Sequence, residues 1–238
     1  MHNTTAQVHA LFPTPVGSYS GFGGQDPLRD HLLALLQTQP GRQNSQDSRL
    51  RHYFDSTGQG VLALQEPLLK ELQAWILSCG QNFVTQVQGY QCDGLQVISS
   101  WLNWAEAGAG QPPHSHENSW ISGTYYVCFE EGHAPIRFWR PGAQSQPNRP
   151  YLSLMRAEQN TAFSSDEVAI APAAGTLLLW PSQLLHGHSG NALDGRLSLS
   201  FNLLPTRLLG SSYGLALAPL VRNLPKRALI SGSMGRSN

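Results

Sequence analysis

The chain has 238 residues, with 15 Lys+Arg balanced by 15 Asp+Glu, so its formal net charge is zero. Only 13% of residues are charged, about half the usual share for soluble proteins. Nucleic-acid and acidic-membrane binding both draw on clustered Lys and Arg, so the balance argues against either partner.

The length fits one large domain that can bury its own core. Cys79, Cys92 and Cys128 are odd in number and form no CxxC. That pattern suits buried thiols in a reducing compartment better than a disulfide framework. Met1 to Ala10 is polar, without the apolar stretch of a signal peptide. No run of about 18 apolar residues could span a membrane. A cytoplasmic location is the expectation.

The first third reads as helical. Asp26 and Pro27 look like an N-cap followed by proline at the first helical position. Leu28, Leu32, Leu35 and Leu36 then share one face. Residues 41–60 read as loop, with a short strand around His52–Phe54. A second helix is expected from Glu66–Pro67. Its apolar positions Leu68, Leu72, Trp75, Ile76, Cys79, Phe83 and Val87 keep helical spacing for about five turns.

After Gly94 the texture turns to β. Leu95–Trp104, Trp120–Phe129, Pro135–Arg140, Val168–Ala171, Thr176–Trp180 and Arg196–Leu204 are short, β-rich and separated by Gly, Pro and Asn. Leu197, Leu199, Phe201 and Leu203 alternate with Arg196, Ser198, Ser200 and Asn202, giving one apolar and one polar face. Helices followed by strands imply an antiparallel β core backed by helices. The expected organisation is a single domain in three parts: a helical and extended region over 1–94, a β core over 95–204 and a basic tail over 205–238. The tail carries Arg207, Arg222, Lys226, Arg227 and Arg236 and no acid, which leaves the rest of the chain net acidic by five.

Four of the nine histidines fall in two pairs, His114-Ser-His116 and His186-Gly-His188. Residues two apart on a strand point the same way, so two imidazoles can converge on one metal. A third ligand from a distant strand would leave open positions for O2 and substrate. His186, after the apolar run Thr-Leu-Leu-Leu-Trp, is the candidate. Arg196 and Ser198 together make a carboxylate clamp, a guanidinium fork plus a hydroxyl. Read singly, each feature has a plainer explanation: polar histidines, or a surface charge on an edge strand.

Taken together, the segments Trp101-Leu-Asn103, PPHSHENSWISGTYYV, GTLLLWPSQLLHGHSGN and RLSLSFNLL resemble the Fe(II)/2-oxoglutarate-dependent dioxygenase superfamily. The resemblance is strongest to a bacterial and phage subfamily with an HxH motif, and Leu-Phe-Pro-Thr-Pro-Val at residues 11–16 fits its opening. It covers about residues 11–204. It implies a mainly β fold: a double-stranded β-helix (jelly-roll, cupin-like) core with the N-terminal helices packed on one sheet. It implies Fe(II), 2-oxoglutarate as cosubstrate, and O2. His114 and His186 fall on the superfamily's metal ligands, and Arg196 with Ser198 on its 2-oxoglutarate anchor. Asn103 stands where one branch has an asparagine that touches the cosubstrate. Tyr125, or its neighbour Tyr126, is a further contact.

His116 replaces the superfamily's usual Asp or Glu. Either it ligates, or it swings aside and a water or carboxylate such as Glu117 takes its place. The spacing to Arg196 favours His186 over His188, which is expected at the rim or behind the ligands. His133 is expected in an exposed turn, and Trp104 and Trp120 beside the substrate pocket. The resemblance implies hydroxylation of a small-molecule, amino-acid or peptide substrate with release of succinate and CO2. No nucleic-acid or membrane partner is expected, and homodimerisation is left open. Two rivals stand beside it: a cupin-type three-histidine dioxygenase without 2-oxoglutarate, and a non-catalytic jelly-roll binding protein. Gly108, six residues before His114, fits one half of the cupin signature; the second half is absent.

Overall fold

A computed structural model describes residues 7–38, 41–54, 60–140, 155, 158–159, 161–209 and 214–216. In chain order these form β1 (Gly17–Tyr19), α1 (Gln25–Thr38), β2 (Arg42–Gln43), β3 (Leu50–Tyr53), α2 (Pro67–Asn82), β4 (Leu95–Ala105), β5 (Gln111–His114) and β6 (Ile121–Cys128). Then follow β7 (Ile136–Trp139), β8 (Glu167–Ile170), β9 (Leu177–Pro181), β10 (His186–His188), β11 (Arg196–Pro205), β12 (Arg207–Leu209) and β13 (Gly214–Ala216).

Two antiparallel sheets carry the fold. The larger has the order β1-β9-β6-β11-β4-β3-β2, the smaller β5-β10-β7-β8; β12 and β13 pair by themselves. This is the double-stranded β-helix the sequence led us to expect. The two helices pack on the outer face of the larger sheet. Leu28 and Leu32 of α1 and Leu69, Leu72 and Ile76 of α2 join Leu197, Leu199, Phe201 and Leu203 of β11 in one core. The opposite face of the same sheet looks toward the smaller sheet, where Tyr126, Leu178 and Trp180 pack with Ile136 and Phe138.

The alternation in β11 therefore separates two interiors. Its apolar residues lie under the helices, and Arg196, Ser198, Ser200 and Asn202 are equally buried on the other side. The plain reading of Arg196 as an edge-strand surface charge is corrected, because β11 is central, paired with β4 on one side and β6 on the other. The apolar run of β9 has the same cause: a strand covered on both faces needs no solvent face.

Some local expectations change. α1 begins one residue earlier than Asp26, because the first helical bond runs from Leu28 N–H to Gly24 O at 3.0 Å. Asp26 thus sits in the first turn and pairs with Arg29 at 3.1 Å. α2 starts at Pro67 as expected and continues into a π-helical turn over Phe83–Val87, but Val87 is exposed. His133 is buried, not exposed: Nε2 donates to Asp194 O at 3.0 Å and Nδ1 accepts from Glu130 N–H at 3.2 Å. The three cysteines are free thiols, Cys79 buried and the other two half-buried. Of the basic tail, Arg207 is described and pairs with Asp93 at 3.2 Å; the other four basic residues lie outside the described residues. No helix among the described residues is long and apolar enough to cross a membrane.

Gly123 shows how tightly β6 and β11 are fitted. A Cβ there would stand 2.5 Å from Phe201 Cζ and 2.6 Å from Leu179 Cδ2. Phe201→Ala is expected to cost about 3–5 kcal/mol of stability, and Gly123→Ala about 1–3 kcal/mol through overpacking. In urea unfolding the double variant should lose less than the sum of the two, since each change relieves the strain or void left by the other. Strict additivity would show that the two sites do not share this space.

Candidate metal centre and anion pocket

The two sheets enclose a cavity of about 330 Å³. His114 ends β5, His116 follows it in the next turn, and His186 opens β10, whose backbone pairs directly opposite His114. One ring nitrogen from each lies within 4.8 Å of the other two. Ring centroids are 4.4 Å apart for His114 and His186, 5.2 Å for His114 and His116, and 5.0 Å for His116 and His186. Gly187 makes the pairing of β10 with β5 possible, since a Cβ there would meet Gln111 O at 2.4 Å.

Each of the three rings is oriented the same way. His114 Nδ1 lies 2.9 Å from Pro112 O, His186 Nδ1 2.9 Å from Leu184 O and His116 Nδ1 2.6 Å from Asn202 Oδ1. These oxygens accept only, so Nδ1 carries the proton and Nε2 keeps its lone pair in every ring. The Trp180 indole N–H also lies 3.3 Å from His186 Nδ1, but the shorter carbonyl contact sets the tautomer. Asn202 is held in turn, accepting from Ser122 Oγ at 2.8 Å and donating to Ser99 Oγ at 2.9 Å. His116, and not the exposed Glu117, occupies the third corner.

Burial keeps the rings neutral. It lowers His114 and His116, and pushes His186 down to about 3 with help from neighbouring His114. His188, outside the triad, is also lowered to about 3, by burial and then by the Arg196 charge.

On the cavity side of β11, Arg196 is almost fully buried. Its Nε donates to Ala134 O at 3.2 Å, and its guanidinium carbon lies 5.3 Å from the Tyr126 ring centroid and 6.0 Å from that of Phe129. Among the described residues no carboxylate pairs with it, and burial lowers its pKa. Nearby, the Tyr126 hydroxyl and His188 Nδ1 are buried without a hydrogen-bond partner. Burial pushes Tyr126 up to about 12, so it stays a donor. A buried cation with two unpartnered polar neighbours is unfavourable alone and needs an anion. Arg196, Ser198, Tyr126 and His188 all line the same cavity as the three histidines.

The tyrosine assignment is corrected. Tyr125 points to the opposite face, packs edge-on to Phe22 and Trp75, and donates its hydroxyl to Gln25. Adjacent strand residues face opposite ways, so Tyr126 takes the cavity position. The tryptophans exchange for the same reason. Trp101 and Trp180 line the cavity, Trp104 packs in the helix-side core, and Trp120 is partly exposed with its indole on Gln88.

Asn103 does line the cavity, and its amide is already engaged. Its Oδ1 accepts from His52 Nδ1–H at 2.8 Å and Trp101 Nε1–H at 3.0 Å, and its Nδ2 donates to Ser200 Oγ at 2.9 Å. His52 itself accepts at Nε2 from Asn44 at 2.9 Å. Arg42, His52, Asn103, Ser198 and Tyr126 are successive cross-strand partners, forming one row across five strands. All five line the cavity. Arg42, Asn44 and His52 were missed because they lie in a polar stretch with no periodicity.

Residues 99–202 match the family model described as "Putative 2OG-Fe(II) oxygenase". That segment contains the three histidines, Asn103, Arg196 and Ser198. Over that segment, less than half of the chain, the sequence is similar to the 2OG-Fe(II) oxygenases. Solved structures with the same fold include the non-heme alpha-ketoglutarate-dependent epimerase SnoN from nogalamycin biosynthesis, at TM-score 0.57 and 13% identity, covering 89% of this chain and 88% of that one. The carbocyclase SnoK of the same biosynthesis aligns at TM-score 0.57 and 12% identity, over 81% and 80%. HygX from Streptomyces hygroscopicus, crystallised with nickel, 2-oxoglutarate and hygromycin B, aligns at TM-score 0.53 and 15% identity, over 81% and 84%. No curated protein sequence matches.

The histidine pKa values fix the sign of the metal-free protein's acid response. His186 and His188 fall from 6.5 to about 3 on folding. Between those values the unfolded chain binds protons that the folded chain refuses. This part of the stability is complete above pH 6.5 and lost progressively as pH falls toward 3. Urea midpoints should drop over that range, and the drop should shrink in His188→Gln. A flat profile would contradict the buried neutral rings.

Proposed function

We propose that this protein is an Fe(II)- and 2-oxoglutarate-dependent oxygenase that hydroxylates a small-molecule, amino-acid or peptide substrate. The observation that carries the reading is one cavity holding both a three-histidine cluster and a buried arginine that has no counter-ion among the described residues. His114, His116 and His186 would hold the iron through Nε2. Arg196 would take the far carboxylate of 2-oxoglutarate bidentately, with Ser198, Tyr126 and His188 as further hydrogen-bonding groups. When bound, the iron and cosubstrate supply oxidative decarboxylation to succinate and CO2 coupled to oxygen insertion into a substrate C–H bond.

The chain's own residues supply position and exclusion. The Pro112 and Leu184 carbonyls and the Asn202 amide hold the three imidazoles in one tautomer. The Trp101 and Trp180 rings wall the cluster, with Trp101 5.5 Å from His116 and Trp180 4.8 Å from His186. Asn103, fixed by His52, Trp101 and Ser200, can offer at most one further N–H to a ligand. Three neutral imidazoles carry no negative charge, so they retain a divalent ion less strongly than a set containing a carboxylate but favour an anionic chelator.

The donor set also favours a second reading, a cupin-type three-histidine dioxygenase, because among the described residues no carboxylate joins the cluster. Buried Arg196 has no task in that chemistry. The test is succinate formation from 2-oxoglutarate with Fe(II) and ascorbate. Arg196→Ala should weaken 2-oxoglutarate binding about a hundredfold while metal content stays normal. Turnover at normal cosubstrate affinity would sink the clamp. His186→Ala should lose iron, and unchanged iron occupancy would move the ligand to His188. Oxygen uptake without 2-oxoglutarate would favour the second reading. Metal binding without turnover on candidate substrates would favour a binding protein.

A further inference from the structure

The amide of Asn103 has only one orientation open to it. An indole N–H donates and never accepts. Trp101 Nε1–H lies 3.0 Å from Asn103 Oδ1, so the amide oxygen must face Trp101. Turned over, the amide would set N–H against N–H. Nδ2 therefore takes the other side, where it donates to Ser200 Oγ at 2.9 Å.

A second amide is fixed the same way at the edge of the larger sheet. Backbone N–H groups only donate, and those of Gln46 and Asp47 lie 2.8 and 3.4 Å from Asn44 Oδ1. Asn44 Nδ2 is thus the end that reaches His52 Nε2 at 2.9 Å and Gln111 Oε1 at 3.3 Å. His52, half-buried on β3, stands between the two amides. It meets an acceptor in Asn103 Oδ1 at 2.8 Å and a donor in Asn44 Nδ2. A ring with its proton on Nδ1 and its lone pair on Nε2 satisfies both.

This arrangement gives the cavity a polarity. The two lone pairs of Asn103 Oδ1 are taken by His52 and Trp101, so the amide cannot accept from a ligand. It can give the one N–H that Ser200 does not use. Without the His52 bond, Oδ1 would keep one lone pair open and the amide would be tethered to Trp101 and Ser200 alone. His52 and Asn103 are direct cross-strand partners, and Asn103 is in turn the partner of Ser198 on β11. At its other end the relay reaches Gln111 on β5, the strand that ends in His114. One line of hydrogen bonds thus joins the strand bearing a candidate metal ligand to the wall beside Ser198.

We propose that His52, anchored by Asn44, is a positioning residue that acts through Asn103. It makes Asn103 a donor-only contact, so the ligand group seated there is an acceptor oxygen: a carboxylate, a carbonyl or an ether. The positioning rests on the hydrogen bonds alone. Its action on 2-oxoglutarate rests on the oxygenase reading above.

Two measurements on the full chain separate these claims. In the metal-free protein, hydrogen exchange of the Trp101 indole N–H is followed by NMR, its signal assigned by its loss in Trp101→Phe. His52→Leu should speed this exchange about tenfold. His52→Asn, whose Nδ2 takes the place of the ring Nδ1, should restore it. The Trp180 indole N–H, which lies against His186, should keep its rate. Equal exchange at Trp101 in wild type and His52→Leu overturns the positioning role, and so does a matching rise at Trp180, which would mark general loosening. In the Ni(II)-loaded protein, 2-oxoglutarate affinity is measured by calorimetry. His52→Leu should bind about tenfold more weakly at unchanged nickel content. The double variant His52→Leu/Asn103→Ala should bind no more weakly than Asn103→Ala alone. Unchanged affinity in His52→Leu, or losses that add, overturns action on the ligand through Asn103. No binding in wild type overturns the oxygenase reading and leaves the exchange result standing.

Discussion

Everything in this molecule turns on a strand that is buried on both faces. β11 lies between helices and cavity, so its side chains have no solvent to turn to. Its apolar face is satisfied by packing. Its polar face must find partners inside, and most of it does: Ser200 meets Thr124 at 3.0 Å and Asn103 at 2.9 Å, and Asn202 meets Ser99, Ser122 and His116. Arg196 has a backbone acceptor in Ala134 O but no counter-ion among the described residues. Desolvating a cation without a counter-ion costs several kcal/mol, and hydrophobic burial elsewhere in the sheet offsets it. Among the described residues the protein is thus built with one electrostatic demand unmet, and it lies at the cavity.

The same logic explains the histidines. They sit where the smaller sheet closes on the larger one, in a space dry enough to keep them neutral. Neutral imidazoles with fixed Nδ1 protons are ready-made nitrogen donors. Their orienting partners are two backbone carbonyls and one amide, none of which titrates in the physiological range.

Much of this was legible in the sequence, and what was not has a single physical source. Alternation in Arg196–Leu204 gave a strand and its two faces, the spacing of His114 and His116 pointed to a metal-binding pair, and the rest of the site came as what the resemblance implies. Alternation cannot say whether a polar face meets water or a polar cavity, so Arg196 alone read as a surface charge. Parity settled the remaining errors. Tyr125 and Tyr126, or Trp101 and Trp104, differ only in which side of the sheet they take, and a strand's phase is set by neighbours distant in sequence. Arg42, Asn44 and His52 left no periodic trace because β2 and β3 are too short to show one. His133 looked like a turn residue and is one, but its ring is drawn inward by the Asp194 carbonyl.

The row Arg42–His52–Asn103–Ser198–Tyr126 runs across the strands, along the hydrogen-bonding direction. Each strand contributes one member, and each pair of members is joined by a loop or a longer stretch of chain that the row does not sense. Insertions and deletions in those connections leave the row intact, whereas a slip of one residue in any strand turns that member out of line. Such a site can be rebuilt around new cargo by changing loop lengths while its axis stays fixed. Its identity is written in pairing register, which no count of residues between motifs records.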